Sequence, residues 1–135
     1  MHNSELFNDL ISDILDCDDI LLSINSGSGI CEARIEKGIP FKIRDKWATI
    51  GDENRPWHIH LNIEKVKEAK FIKEPRADGK NSYSVRLFDI EGNLSMRANF
   101  TKIYDNSGNI IKEKVEKYSD IFRKYGSKES ITLAT

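Results

Sequence analysis

The sequence is poor in cysteine, histidine and proline, with two, three and three of them among 135 residues. Cys17 and Cys31 are too few and too far apart for a CxxC motif or a disulfide framework, so two reduced thiols are expected. No apolar run approaches the ~18 residues that a membrane-spanning helix requires, and no membrane insertion is expected. Neither sign of charge dominates: 21 Lys and Arg stand against 22 Asp and Glu, for a net charge of −1. That balance excludes a protein that attracts nucleic acid with its whole surface. A basic stretch leading into an apolar one is also missing near the start. The first Lys or Arg is Arg34, and Asp9, Asp13 and Asp16 break the opening apolar pairs, so a cytoplasmic protein without a secretory signal is expected.

What is present suffices for one packed core. The chain is 39% hydrophobic, and its length predicts a single domain over residues 1–135. The pattern divides it into an N-terminal helix within 1–17, antiparallel strands over 20–104 and a C-terminal helix over 109–126. In the first helix Leu6, Phe7, Leu10, Ile11, Ile14 and Leu15 recur in pairs every four residues, one apolar stripe at the helical period, with Asn3 or Ser4 to cap it. This leader holds six acids and no Lys or Arg within residues 1–20, which leaves a basic excess on the rest of the chain. Its acidic face reads as solvated, or as packed on a basic face of its own domain or of a partner subunit. In the last helix Ile111, Val115, Tyr118, Phe122 and Tyr125 share a face. Glu113 with Lys117 and Asp120 with Lys124 form i,i+4 pairs, and Gly126 suits the helix end. The last nine residues read as frayed.

Between the helices the period changes to two. Ile20–Asn25 and Ile30–Ile35 read as strands joined by a Ser26–Gly29 turn. An apolar β-like run follows those glycines where a phosphate loop would open a helix, so a phosphate loop is not expected. Phe41–Arg44 and Lys46–Ile50 follow, then a loop over 51–56. Trp57, Ile59 and Leu61 alternate with His58, His60 and Asn62. Ala69–Glu74 reads as a further strand, and Ser82–Phe88 with Leu94–Phe100 as a β-hairpin around Gly92. Helix, many antiparallel strands, helix is the order of an α+β domain with helices on one side of a sheet.

His58 and His60 are the candidate site. Two residues apart on a strand, they share one face at a spacing of about 6.7 Å along the chain. Neutral imidazoles offer lone pairs to iron, zinc or copper, so both are candidate metal ligands. A closed zinc site wants four ligands, and no third histidine or paired cysteine is near in sequence. The plain alternative is two histidines on a solvated strand face. Arg86 and Arg97 lie on polar faces of the two hairpin strands. One register sets them face to face, which like charges disfavour and an anion would relieve; a register shifted by two sets each against a serine. They are candidate anion ligands or ordinary surface charge.

From Trp57 to about residue 125 the chain resembles a known family. The stretch His58–Asn62, then Val66, Ala69–Ile72, Gly79, Tyr83–Asp89 and Gly92 is similar to the C-terminal half of the small cytosolic heme-utilisation proteins of the HutX/ChuX type, with the HemS-like fold. The resemblance implies an antiparallel β-rich domain flanked by helices, often a homodimer, that binds heme or a related tetrapyrrole and passes it on. It also implies a histidine as axial iron ligand. Phasing against Ala69 and Phe71 favours His60 for that role, whereas phasing from the start of the strand favours His58. Members of the family carry a second histidine in the N-terminal half, where Ser23–Gly29 here has none. Heme would require an apolar cleft for the macrocycle, one imidazole for iron, and cations such as Arg86 and Arg97 for the propionates. No flavin or nicotinamide motif is present, which favours a carrier over an enzyme. The competing expectations are a small-molecule enzyme with His58 or His60 as general base, which a carboxylate partner in an apolar pocket would favour, and an interaction module that has lost its ligand.

Overall fold

The structure is a computed structural model and describes residues 3–134. The leader stripe forms α1 (Ser4–Leu15), where Phe7, Leu10, Ile11, Ile14 and Leu15 are all buried. Of the two candidate caps Asn3 takes the role: its Oδ1 accepts a hydrogen bond from the Leu6 amide at 3.0 Å. Among the described residues nine strands follow in two antiparallel sheets: β1 (Ile20–Asn25), β2 (Ile30–Arg34), β3 (Phe41–Arg44), β4 (Trp47–Gly51), β5 (His58–Asn62), β6 (Val66–Pro75), β7 (Asn81–Asp89), β8 (Leu94–Phe100) and, after α2 (Lys112–Lys124), β9 (Ser130–Thr132). The larger sheet has the order β2-β1-β8-β7-β6-β9, and the smaller one β3-β4-β5. This is the α+β, antiparallel, helix-flanked architecture expected, with the difference that its strands divide between two sheets.

The division follows from which faces are apolar. Across the larger sheet Ile20, Leu22, Ala69, Phe71, Tyr83, Val85, Leu87, Met96, Ala98 and Phe100 share one face, and all are buried. Tyr118 and Ile121 of α2 close over it, and the Tyr118 ring meets Phe71, Tyr83 and Phe100 edge-on with centroids 5.0 to 5.8 Å apart. Burial pushes the Tyr118 hydroxyl well above the ordinary tyrosine range, and it donates to the Ser84 carbonyl at 3.0 Å. In the smaller sheet Ala48, Ile50 and Leu61 are buried, and Phe41, Ile43 and Ile59 pack beside them against the same core. Its other face is left to solvent.

Three details correct or complete the sequence reading. The tail is not frayed up to Ala134: β9 adds an edge strand to β6 through Glu68↔Thr132, Ala69↔Ile131 and Lys70↔Ser130, and Leu133 is buried. Ile131, Thr132 and Leu133 are a short β-favouring run, and β6 offers it an unpaired edge. The acidic leader is partly solvated and partly packed on its own chain. Asp13 accepts from Lys124 Nζ at 2.8 Å and from the Tyr125 hydroxyl at 2.6 Å, so Lys124 turns to α1 instead of pairing with Asp120 along its own helix. Finally, the hairpin takes the register that sets Arg86 directly opposite Arg97.

Candidate functional site

The two histidines stand on the outer face of the smaller sheet, and three local features place them there. The alternation of β5 turns Leu61 into the core and therefore turns His58 and His60 outward; both are exposed. The pairing of β4 with β5 sets Thr49 opposite His60 and Gly51 opposite His58. Gly51 has φ +93°, and a Cβ there would lie 3.2 Å from the Trp57 carbonyl and 3.3 Å from the His58 Cβ, so only glycine lets β5 approach this closely. Thr49 then bonds His60: its Oγ1 lies 2.9 Å from Nδ1. That contact engages Nδ1 and leaves Nε2 outside it.

The histidines are close to each other and to an aromatic ring. The His58 and His60 ring centroids are 4.7 Å apart at 71°, and His60 meets Trp47 edge-on at 6.5 Å and 78°. Trp47 keeps 44% of its surface exposed, unusual for so large an apolar side chain. Register extends the face: Lys42, Thr49 and His60 form one row across the sheet, and Arg44, Trp47 and Asn62 the next.

Two open recesses flank His60. One, of about 390 Å³, is lined by Lys42, Arg44, Asp45, Trp47, Thr49 and His60. The other, of about 440 Å³, is lined by Lys42, Thr49, His60, His58 and the residues of the β4–β5 connection, Gly51 to Asn54, among them Asp52 and Glu53. The apolar cleft that a macrocycle was expected to require is not found at the histidines among the described residues: of the residues lining the two recesses only Trp47 is a large apolar side chain, with cations at its edge. Among the described residues no three of His, Cys, Asp and Glu are grouped to hold a metal by themselves. His2 lies outside the described residues.

The arginines singled out from sequence are elsewhere. Arg86 and Arg97 stand on the larger sheet, on the face turned away from α2, in one cross-strand row with Lys70 and Ser23. Arg86 pairs with Glu74 at 3.2 Å and donates to Ser84 Oγ at 3.2 Å, while Arg97 Nε is buried without a hydrogen-bond partner. Neither lines the recesses at the histidines; Lys42 and Arg44 do. Those two cations, with Trp47 and Thr49, were not singled out from sequence. The signal was present: Lys42 and Arg44 alternate with Phe41 and Ile43, and Trp47 and Thr49 with Ala48 and Ile50.

A protein-family model matches residues 8–126, most of the chain. The chain belongs to the HutX/ChuX-like family. Solved structures agree on the fold. ChuX, described as a heme-binding protein, has a TM-score of 0.73 at 12% identity over 90% of this chain and 74% of its own. A protein from Agrobacterium tumefaciens scores 0.74 at 14% identity, covering 90% of this chain and 68% of its own. Holo-PhuS, a heme-binding protein from Pseudomonas aeruginosa, scores 0.64 at 17% identity over 87% of this chain and 32% of PhuS, so the HutX/ChuX-like unit spans about a third of that longer protein. No curated protein matches the chain. In this HutX/ChuX-like chain no helix among the described residues is long and apolar enough to cross a membrane.

Proposed function

We propose that this protein binds heme on the outer face of the β3-β4-β5 sheet and hands it on, with His60 as the axial iron ligand. Family membership and the heme-binding description of ChuX and PhuS support the ligand class. The observation that carries the choice of residue is the Thr49–His60 contact. A ligating histidine commonly donates its other ring N–H to a fixed oxygen, which sets the tautomer and aims the free lone pair. Thr49 Oγ1 at 2.9 Å from Nδ1 can serve so, leaving Nε2 for iron. Trp47 then supplies an apolar wall beside the imidazole, and Lys42 and Arg44 supply cations for the two propionates. Bound heme contributes a coordination position at iron; the chain contributes the imidazole, the wall and the cations.

The same face argues for a carrier. One wall and one ligand hold a macrocycle without enclosing it, so release needs no opening of a cavity. The general-base alternative calls for a carboxylate partner in an apolar pocket, whereas the bonded partner of His60 is a hydroxyl and its surroundings are open. The proposal includes a cytoplasmic homodimer, as the resemblance implies; a monomer mass in light scattering at tens of micromolar would remove that part.

Hemin titration followed by absorbance tests the site. A Soret shift saturating near one heme per chain is expected, weakened by His60→Ala more than by His58→Ala. An absent shift, or one indifferent to both substitutions, overturns the proposal.

A further inference from the structure

Heme takes one imidazole from this face, and the second remains. His58 stands on the far side of His60 from Trp47, in the recess that also holds Asp52 and Glu53. We propose that this recess is a separate site for a divalent transition-metal ion of the zinc, nickel or copper class, chelated by His58 and His60 together.

The ring spacing is compatible with a chelate. An imidazole nitrogen binds such an ion at about 2.1 Å, which places the centres of two rings on one ion about 5 Å apart. The rings here are 4.7 Å apart. Their spacing of two residues on a strand keeps both on one face, and Gly51, opposite His58, lets the two strands approach closely beside the pair. Thr49 holds the His60 ring through Nδ1, so the ring is oriented before the ion arrives.

Charge separates the two uses of His60. The Trp47 side carries Lys42 and Arg44 against the single carboxylate Asp45, a net basic set that suits the anionic edge of a porphyrin. The His58 side shares Lys42 but has two carboxylates, Asp52 and Glu53, on its rim, a net acidic set whose field suits a cation, with water completing its sphere. Two fixed ligands and an open remainder describe an exchangeable site, unlike the closed four-ligand sites that hold zinc for structure. Because His60 serves both, bare metal and heme exclude one another.

Calorimetric titration of Zn²⁺ into the full chain, in a His2→Ala background so that only the strand's imidazoles remain, tests this without heme. One site per chain is expected. His58→Ala and His60→Ala should each weaken it about a hundredfold, the loss expected when a chelate becomes a single ligand. Asp52→Asn with Glu53→Gln should weaken it less. No zinc uptake, or uptake by His58→Ala equal to that of the parent, overturns the proposal. Zinc-saturated protein should also show a weakened Soret shift on hemin addition, and an unaltered shift would overturn the shared use of His60. A protein that takes zinc but no heme would keep this site and lose the carrier reading, so the two fail separately.

Discussion

Replacing Thr49 by valine isolates the one hydrogen bond on which the choice of His60 rests. Valine has the shape of threonine and the same preference for strands, so β4 keeps its backbone and its neighbours Ala48 and Ile50 stay buried. What disappears is the 2.9 Å contact between Oγ1 and His60 Nδ1. Thr49 is only half-buried, so its hydrogen bond adds little to folding, of order 0.5–1 kcal/mol at most, and water can replace it. The loss falls on the ligand. Removing the outer partner of a ligating histidine typically costs ten- to a hundredfold in affinity, or about 1.4–2.7 kcal/mol. Hemin titration of Thr49→Val should therefore show a Soret shift of the same form at ten to a hundred times higher hemin, with an unfolding midpoint close to that of the parent. An unchanged hemin affinity with an intact fold would show that the Thr49 contact does not orient the ligand, and the argument for His60 over His58 would fall with it.

One further substitution probes how the site is held, and one thiol titration probes the core. Gly51→Ala puts a side chain at φ +93° and 3.2 Å from the Trp57 carbonyl, so a loss of about 1–2 kcal/mol in urea unfolding is expected, with weaker hemin and zinc binding because β5 is pushed off β4; full stability would show that the close approach is not needed. Cys17 is buried and its thiol is pushed up to about 11, chiefly by burial, whereas Cys31 is exposed. A disulfide-exchange reagent at pH 8 should thus titrate one thiol in the native protein and two after unfolding. Because the folded thiol holds its proton more tightly than the unfolded one, the Cys17 contribution to stability is intact below about 9 and is lost as pH rises towards about 11; two fast thiols at pH 8 would refute the burial argument.

Much of the fold was legible because its periods are clean. The stripe of α1, the alternation of β7 and β8 and the turn at Ser26–Gly29 each identify an element from adjacent residues alone, and each is found where it was expected. The short β9 was missed because Ser130–Thr132 has little pattern of its own and becomes a strand only where β6 leaves an edge open. The hairpin register was undecidable for a similar reason. Alternation fixes which face a residue takes but not its opposite number, and both registers kept Val85, Leu87, Met96 and Ala98 inward. The fold settles on Arg86 opposite Arg97, with Glu74 offsetting one charge from the neighbouring strand.

The candidate face was half legible, and the half that was missed shows what local patterns withhold. That His58 and His60 share one exposed face was readable because a strand of five residues displays its own faces. Lys42, Arg44, Trp47 and Thr49 display theirs just as plainly, yet nothing in β3 or β4 says which later strand lies beside them. The connection from Gly51 to Trp57 is too long to fix a hairpin register, so the pairing of Thr49 with His60 is a tertiary fact. Arg86 and Arg97 attracted attention for the opposite reason: their juxtaposition was readable within one hairpin, but it lies on the other sheet. Cations that serve an anion beside His60 must come from the β3-β4-β5 sheet or from its flanking loops, because side chains more than two strands away do not reach. For the proposed site, topology alone thus favours Lys42 and Arg44 over Arg86 and Arg97 as the cations beside His60, and it does so before any ligand is considered.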